Sequence, residues 1–508
     1  MSVMFDCNVM SITAALEDEL VTTKRMNAEL VETVVVQREQ ICELRHQIHL
    51  LLQRLYGPRS ERVNPDQPLL FDDPADASPA PPPVVDEPRK PQKRCHGRKK
   101  LSPLLERLRI ECDLTEIEKL CPCCQTPRTQ IGEELSERLG YRGPAYFVRV
   151  FVKLKYVCQG CAGQHVAAVM PPELLPKTSA DPSLLAHVAV SKFVDHLPLH
   201  RLEGILDRHG MELNRSTLGG WLAACAAAVQ PVYQIMMSLM LQSKVIHTDD
   251  TPVTQLDKNH PGGSRTGRVW VYIGDRNYPY IIFDSTENRR RDGPQKFLQG
   301  YRGHLQADAF GGYDGIYAGG VTEVACWAHA RRKFHEARSA APAEAAEALA
   351  RIGQLYAIEK AAKELTPLER AALRQRDAVP ILAAFRARLD AWRPAALPKS
   401  PLGQAIGYAA NQWTALNVYA TDGDLAIDNN RAERTLRGIA VGRKNWMFFG
   451  NANGGRTAAT LLSFTTTCTD LGINPQVYLT DLFTRLPLTP PDQLATLLPD
   501  RWSAARPE

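Results

Sequence analysis

The sequence predicts a multidomain α/β protein built around a β-sheet core, and three features predict it. At 508 residues the chain is longer than a single hydrophobic core usually grows. Residues 244–330 carry five short β-type runs, whereas 331–422 are rich in Ala, Leu, Arg and Glu and read as several helices. Four of the twelve cysteines form two Cys-x-x-Cys pairs ahead of that core, a spacing that suits a metal site better than a disulfide framework.

The apolar fraction of 44% is ordinary and the net charge of +5 is modest, so bulk charge does not announce a nucleic-acid partner. The distribution of charge says more. Basic runs lie at Arg89–Lys100 and Arg331–Lys333, and Arg431, Arg434, Arg437, Arg443 and Lys444 crowd one short stretch. Local patches of this kind hold phosphate backbones. No apolar run is long enough to span a bilayer, and the opening MSVMFDCNVM lacks the basic start and clean apolar core of a signal peptide. The expectation is a cytoplasmic protein, nucleoid-associated when bound to DNA, with no membrane partner.

Taken in order, residues 1–62 form a leader whose long helix, 16–56, carries a coiled-coil seam. Leu20, Asn27, Val34, Ile41, Ile48 and Leu55 fall at one heptad position, and Thr23, Leu30, Gln37, Leu44 and Leu51 at the other. Asn27 in the first series favours a two-stranded register, so a homo-oligomer through this helix is expected. Tyr56-Gly57-Pro58 stops the helix. A Pro-rich and then basic linker fills 63–111, because its composition cannot bury a core.

A cysteine module follows over 112–172. Cys121/Cys124 and Cys158/Cys161 supply two knuckles for a structural Cys₄ zinc site. The 33 residues 125–157 exceed the usual ribbon spacing, but the alternating run Tyr146–Val157 reads as a strand of a hairpin that would let the knuckles meet. Cys123 leaves a Cys121/Cys123 pairing open. Residues 173–243 are helical. Leu199–Arg208, a turn at Gly210–Asn214 and Ser216–Trp221, with Ser216 as N-cap, resemble a helix-turn-helix that contacts DNA.

The core begins at 244. Strands are expected at Val245–Thr248, Val269–Gly274, Tyr280–Ser285, Leu305–Ala307 and Glu323–Trp327, with a helix at Gly293–Gln299. Asp249 ends the first strand and Asp308 the fourth. After the helical insertion of 331–422, residues 423–470 complete the core with a helix carrying Glu433, and 471–508 form a C-terminal helical segment. Three strands, a helix, two further strands and a late helix match the ribonuclease-H-like topology.

Breaking or joining a phosphodiester needs an activated hydroxyl and a stabilised pentacoordinate phosphate, which two Mg²⁺ ions roughly 3.5–4 Å apart supply. Mg²⁺ is hard and takes oxygen ligands, so Asp249, Asp308 and Glu433 are the candidate catalytic, magnesium-binding carboxylates. On the same helix Asn429, Glu433 and Arg437 share a face at i,i+4 spacing. Asn429 and Arg437, with Asn430, Arg434, Arg443, Lys444 and Trp446, and with His329, Arg331, Arg332 and Lys333, are the expected DNA-contacting residues, Trp446 either stacking on a base or packing the core. For Cys326 and His329, two ligands are too few for a second zinc, and a packing or hydrogen-bonding role is expected.

These motifs resemble the large transposase of the IS66 family of bacterial insertion sequences, over nearly the whole chain. His247–Val253 is similar to the family's first-aspartate motif, with Asp250 standing where Glu is usual. Asp308 matches the second aspartate. Cys326-Trp327-Ala328-His329 resembles a Cys-x-x-His signature, Asn429–Arg434 with Gly442–Trp446 resembles the glutamate motif, and Tyr478–Trp502 the C-terminal segment. The resemblance implies DDE chemistry: metal-dependent cleavage and strand transfer at the ends of a mobile element. It further implies the element's terminal inverted repeats, target DNA and two small element-encoded accessory proteins as partners. The alternatives are a structure-specific nuclease on the same fold, or a non-catalytic zinc-containing DNA-binding regulator.

Overall fold

The computed structural model describes Lys24, Met26, Leu101, Pro103 and residues 105–502 apart from Pro144, 160–165 and Lys177. The chain divides into 1–96 and 97–508. The coiled-coil helix expected over 16–56 lies outside the described residues except for Lys24 and Met26, which are helical and exposed.

The first sheet holds β1 (Glu106–Cys112), β2 (Thr129–Arg142), β3 (Ala145–Val157) and β4 (Val166–Ala167). β2 and β3 form a long antiparallel hairpin, in register from Thr129↔Val157 to Arg142↔Ala145. β1, parallel, and β4, antiparallel, share the other edge of β3. Alternation in β3 buries Tyr146, Val148, Val150, Val152, Leu154 and Tyr156 on one face, as period-two patterning requires.

Four helices follow: α1 (Pro182–Phe193), α2 (Leu199–Arg208), α3 (Arg215–Ala228) and α4 (Gln230–Met240). The cap of α3 is not Ser216 but Asn214, whose side-chain oxygen accepts from the Thr217 amide at 2.9 Å and from the Ser216 hydroxyl at 2.6 Å. A carboxamide two residues upstream reaches the first free N–H groups, so Ser216 falls inside the helix. Among the described residues no single helix is long and apolar enough to cross a membrane; α3 and α4, bent by 54°, pass together by length and composition.

The second sheet contains β5 (Val245–Leu256), β6 (Ser264–Ile273), β7 (Ile281–Thr286), β8 (His304–Gln306) and β9 (Thr322–Val324), in the order β7-β6-β5-β8-β9. β5, β6 and β7 are antiparallel, while β5, β8 and β9 are parallel. Two short helices, α5 (Asp292–Phe297) and α6 (Asp314–Tyr317), flank β8. Six helices fill the interval before the last core helix: α7 (Trp327–Glu336), α8 (Pro342–Ala361), α9 (Pro367–Leu373), α10 (Val379–Trp392), α11 (Pro401–Asn411) and α12 (Trp413–Asn417). They have a core of their own around Trp327, Phe334, Ile352, Phe385 and Leu416. A π-turn, Arg374–Ala378, joins α9 to α10. There Arg374 is buried, paired with Glu359 and donating to the carbonyls of Tyr419, Asp422 and Leu425.

The chain then returns to the sheet as α13 (Asn430–Trp446), β10 (Phe448–Phe449), α14 (Ala452–Asp470), α15 (Pro475–Arg485) and α16 (Pro499–Trp502). α14 seals the outer edge of β7. The buried N–H groups of Ile281 and Phe283 donate to Thr467 Oγ1 (3.0 Å) and Ser463 Oγ (2.8 Å), and Tyr233 donates to the Phe283 carbonyl at 2.8 Å. An edge strand is thereby closed by hydroxyls rather than by another strand. The approach needs Gly455, where a Cβ would lie 2.5 Å from Ser285 Oγ.

Candidate active site at a gap in the sheet

The strand expected to stop at Asp249 continues to Leu256, so Asp249 sits in mid-strand. β6 pairs with β5 along the whole of His247–Leu256. On its other edge β5 pairs with β8 only over Val245–His247 and with β10 only over Thr254–Gln255. Between them β5 has no strand neighbour, which is why Pro252 is tolerated inside a strand. Asp249 lies at this gap.

Side chains from α13 and the residue before it close the gap. Asn429 is fully buried. Its Nδ2 donates to the Thr248 carbonyl at 2.8 Å, its Oδ1 lies 3.1 Å from His247 Nδ1, and its backbone N–H donates to Cys326 Sγ at 3.2 Å. Arg443, about four turns further along, donates to the Pro252 carbonyl at 2.7 Å and to Thr251 Oγ1 at 3.2 Å. Buried Gln306, on β8, donates to the carbonyls of Ala426 (2.6 Å) and Asp428 (3.1 Å). The entry to α13 is therefore bolted to β5, β8 and the start of α7 at once, and Glu433 is held one turn inside the helix.

Asp249 and Glu433 line one open cavity of about 500 Å³ together with Asp250, Thr251, Asn430, Arg434 and Arg437. Burial pushes the Asp249 carboxyl up to about 7; the Asp250 amide pulls it down, and the charges of Asp308, Asp250 and Glu433 add to the rise. Asp308 follows β8 and is also raised by burial, against the opposing pull of Arg289 and His329. His329, in the first turn of α7, places Nε2 3.6 Å from Glu433 Oε1. The three carboxylates thus share one locality without touching. Among the described residues, the only trio of Cys, His, Asp or Glu ligand atoms within 4.8 Å of one another is a different one, described below.

Asp249 and Asp250 are adjacent on β5 but have different partners. The Asp250 side chain is 2% exposed and committed to Arg268 and Arg289, each at 2.9 Å. No cation pairs with Asp249 among the described residues. Three donors expected to face DNA have interior duties instead. Asn429 is enclosed, because its amide replaces the missing strand neighbour. Arg443 spends donors on β5. Trp446 stacks on Phe449, with centroids 5.0 Å apart and planes at 10°. Asn430, Arg434, Arg437, Lys444, Arg331 and Arg332 are exposed, while His329 and Lys333 are half-buried. Arg289 was not singled out in the sequence, although its run Arg289-Arg290-Arg291 directly after a strand was a legible signal.

The trio that does converge is Cys121, Cys124 and Cys158. The Thr129↔Val157 register of the hairpin brings the turn before β2 beside the residue after β3, which bridges the long spacing. Cys121 and Cys158 are buried, and the sulfurs of Cys124 and Cys158 are 3.6 Å apart. Tetrahedral Zn–S bonds of about 2.3 Å put sulfurs about 3.8 Å apart, so the three fit such a site. Cys123 is exposed and outside the cluster, and Cys161 lies outside the described residues.

Comparison with known families places the chain. The family described as "Transposase IS66 family" matches residues 177–457, more than half the chain and all three carboxylates. "Transposase C of IS166 homeodomain" matches 43–110, and "IS66 C-terminal element" matches 463–499. The protein belongs to the IS66 transposase family. Among its relatives in Sinorhizobium fredii (strain NBRC 101917 / NGR234), "Uncharacterized protein y4hP" is 32% identical over 79% of this chain and 76% of its own. "Uncharacterized protein y4jD" is 29% identical over 94% of this chain and 98% of its own.

Proposed function

We propose that the chain is a DDE transposase that cleaves DNA at the ends of an IS66-type insertion sequence and transfers the strand to target DNA. What supports this is that Asp249 and Glu433, from β5 and α13, line one open cavity at the gap in the sheet, with Asp308, after β8, near enough for its charge to act on Asp249. We read that sheet as ribonuclease-H-like, which its order and its mix of antiparallel and parallel pairs support. An all-oxygen donor set suits Mg²⁺, and the raised Asp249 carboxyl marks a place where a nearby cation would favour the ionised form. When bound, the metal pair activates the attacking hydroxyl and stabilises the charge on the phosphate. The chain's own residues orient the DNA: Asn430, Arg434 and Arg437 line the cavity, and Arg331, Arg332 and Lys444 offer exposed donors. The cysteine cluster, with Cys161, would hold a structural zinc, and the N-terminal helix would pair two copies so that two element ends are handled together. The partners are the terminal inverted repeats, target DNA and the element's small accessory proteins, in the cytoplasm.

The test is a plasmid carrying the element's ends, incubated with the full-length chain and Mg²⁺. The parent should cut and join, while D249N, D308N and E433Q should bind ends in Ca²⁺ and do neither. Cutting without joining would make it a nuclease, and undiminished activity of E433Q would end the proposal.

A further inference from the structure

Three consecutive arginines follow β7, and one is unlike the others. All three are exposed, and Arg290 and Arg291 make no ion pair among the described residues. Arg289 is held on three sides. Its Nε and Nη2 each lie 2.9 Å from Asp250 Oδ1. Its guanidinium carbon sits 4.0 Å from the centre of the Phe310 ring. Its Nη2 also comes within 3.6 Å of Asp308 Oδ2. Asp250 is itself clamped by Arg268 at 2.9 Å, so the anchor does not swing.

Neutralising Asp250 does not need Arg289, because Arg268 already does it. What the second arginine adds is a guanidinium held over a ring beside one of the three carboxylates. Such a group has five N–H donors in a rigid fork, and Asp250 engages only part of it. A planar fork matches the geometry of phosphate oxygens, and a donor oriented in advance does not reorganise as charge develops on them.

We propose that Arg289 contacts a non-bridging oxygen of the scissile phosphate, with Asp250 and Phe310 as its positioning residues. This rests on the Asp249–Asp308–Glu433 reading above, and adds to it a residue from a different loop.

The test compares full-length R289A, R289K and R290A on a duplex bearing the element's terminal repeat, in single-turnover cleavage with Mg²⁺ and saturating DNA. R289A should fall by roughly 100-fold or more, the scale of losing one oriented donor at a developing oxyanion. R289K should recover only part, since an ammonium keeps the charge but not the fork. R290A, with the same loss of charge, should cleave within about threefold of the parent. A binding readout in Ca²⁺ is independent of turnover. A neutral methylphosphonate at the scissile position should weaken binding to the parent severalfold more than it weakens binding to R289A. R289A cleaving like the parent, or the methylphosphonate weakening both proteins equally, overturns the proposal. Should R289A fail to fold, R289K at full parental rate overturns it as well. A parent that binds the repeat as D308N does, yet never cuts, overturns the carboxylate reading instead and takes this one with it.

Discussion

Asn429→Ala is the substitution that most directly probes how the site is held. The native amide makes two buried side-chain hydrogen bonds, to the Thr248 carbonyl at 2.8 Å and with His247 Nδ1 at 3.1 Å. Alanine leaves both partners enclosed at the gap in β5. Each stranded group costs about 1–3 kcal/mol, so the sum is about 2–6 kcal/mol. An unfolding entropy of about 2.1 cal/mol/K per residue over a cooperative unit of about 400 residues converts that to a Tm fall of roughly 2–7 °C. Scanning calorimetry of parent and variant at pH 7.5 measures it. Cleavage should fall as well, because the same residue fixes the start of α13 four residues before Glu433. A variant with parental Tm and parental cleavage would refute the idea that this amide stands in for the absent strand.

Three further outcomes follow from other parts of the fold. Ser463→Ala strands the buried Phe283 amide at the β7 edge, and should cost about 1–3 kcal/mol in denaturant unfolding; a change under 0.5 kcal/mol by the same measure would mean that the edge is satisfied in another way. Metal analysis of the purified chain should find one zinc, lost together with the module's protease resistance in Cys158→Ser or on chelation; a metal-free module that remains resistant would count against the site. Burial pushes the His187 imidazole, stacked on Tyr141 at 3.7 Å, down to about 4. The unfolded chain then binds more protons between pH 6.5 and 4, so this contribution is full above pH 6.5 and is lost as pH falls toward 4, by up to about 3 kcal/mol. His187→Gln should therefore lose less stability than the parent between pH 7 and 4.5, and identical pH profiles would disprove the assignment.

Much of the architecture could be read directly along the chain. The alternation in Tyr146–Val157 announced a strand because one face of it is buried, and five of the six described strands of the second sheet fall where β-type runs occur, β10 being the exception. The boundaries were less legible. The first strand was expected to end at Asp249, yet it runs through Pro252 to Leu256, since that edge has no strand partner at this point among the described residues. The N-cap at Asn214 lay two residues ahead of the hydroxyl that resembled it.

The chemical character of the candidate site was present in residue type and order alone: three acidic residues in strand-end and helix settings, and cysteines in pairs. Those properties are local, and they survive without a fold. Which neighbours each side chain meets is not local. Asn429 and Arg443 carry the polar groups expected of a DNA surface, but they spend them on the open carbonyls of β5, a demand that exists only once β8 and β10 stop short of one another. Asp250 and Asp249 are adjacent and chemically alike in sequence. Packing alone commits one to two arginines and turns the other toward the gap, because a buried carboxylate is tolerated where a cation meets it and is raised in pKa where none does.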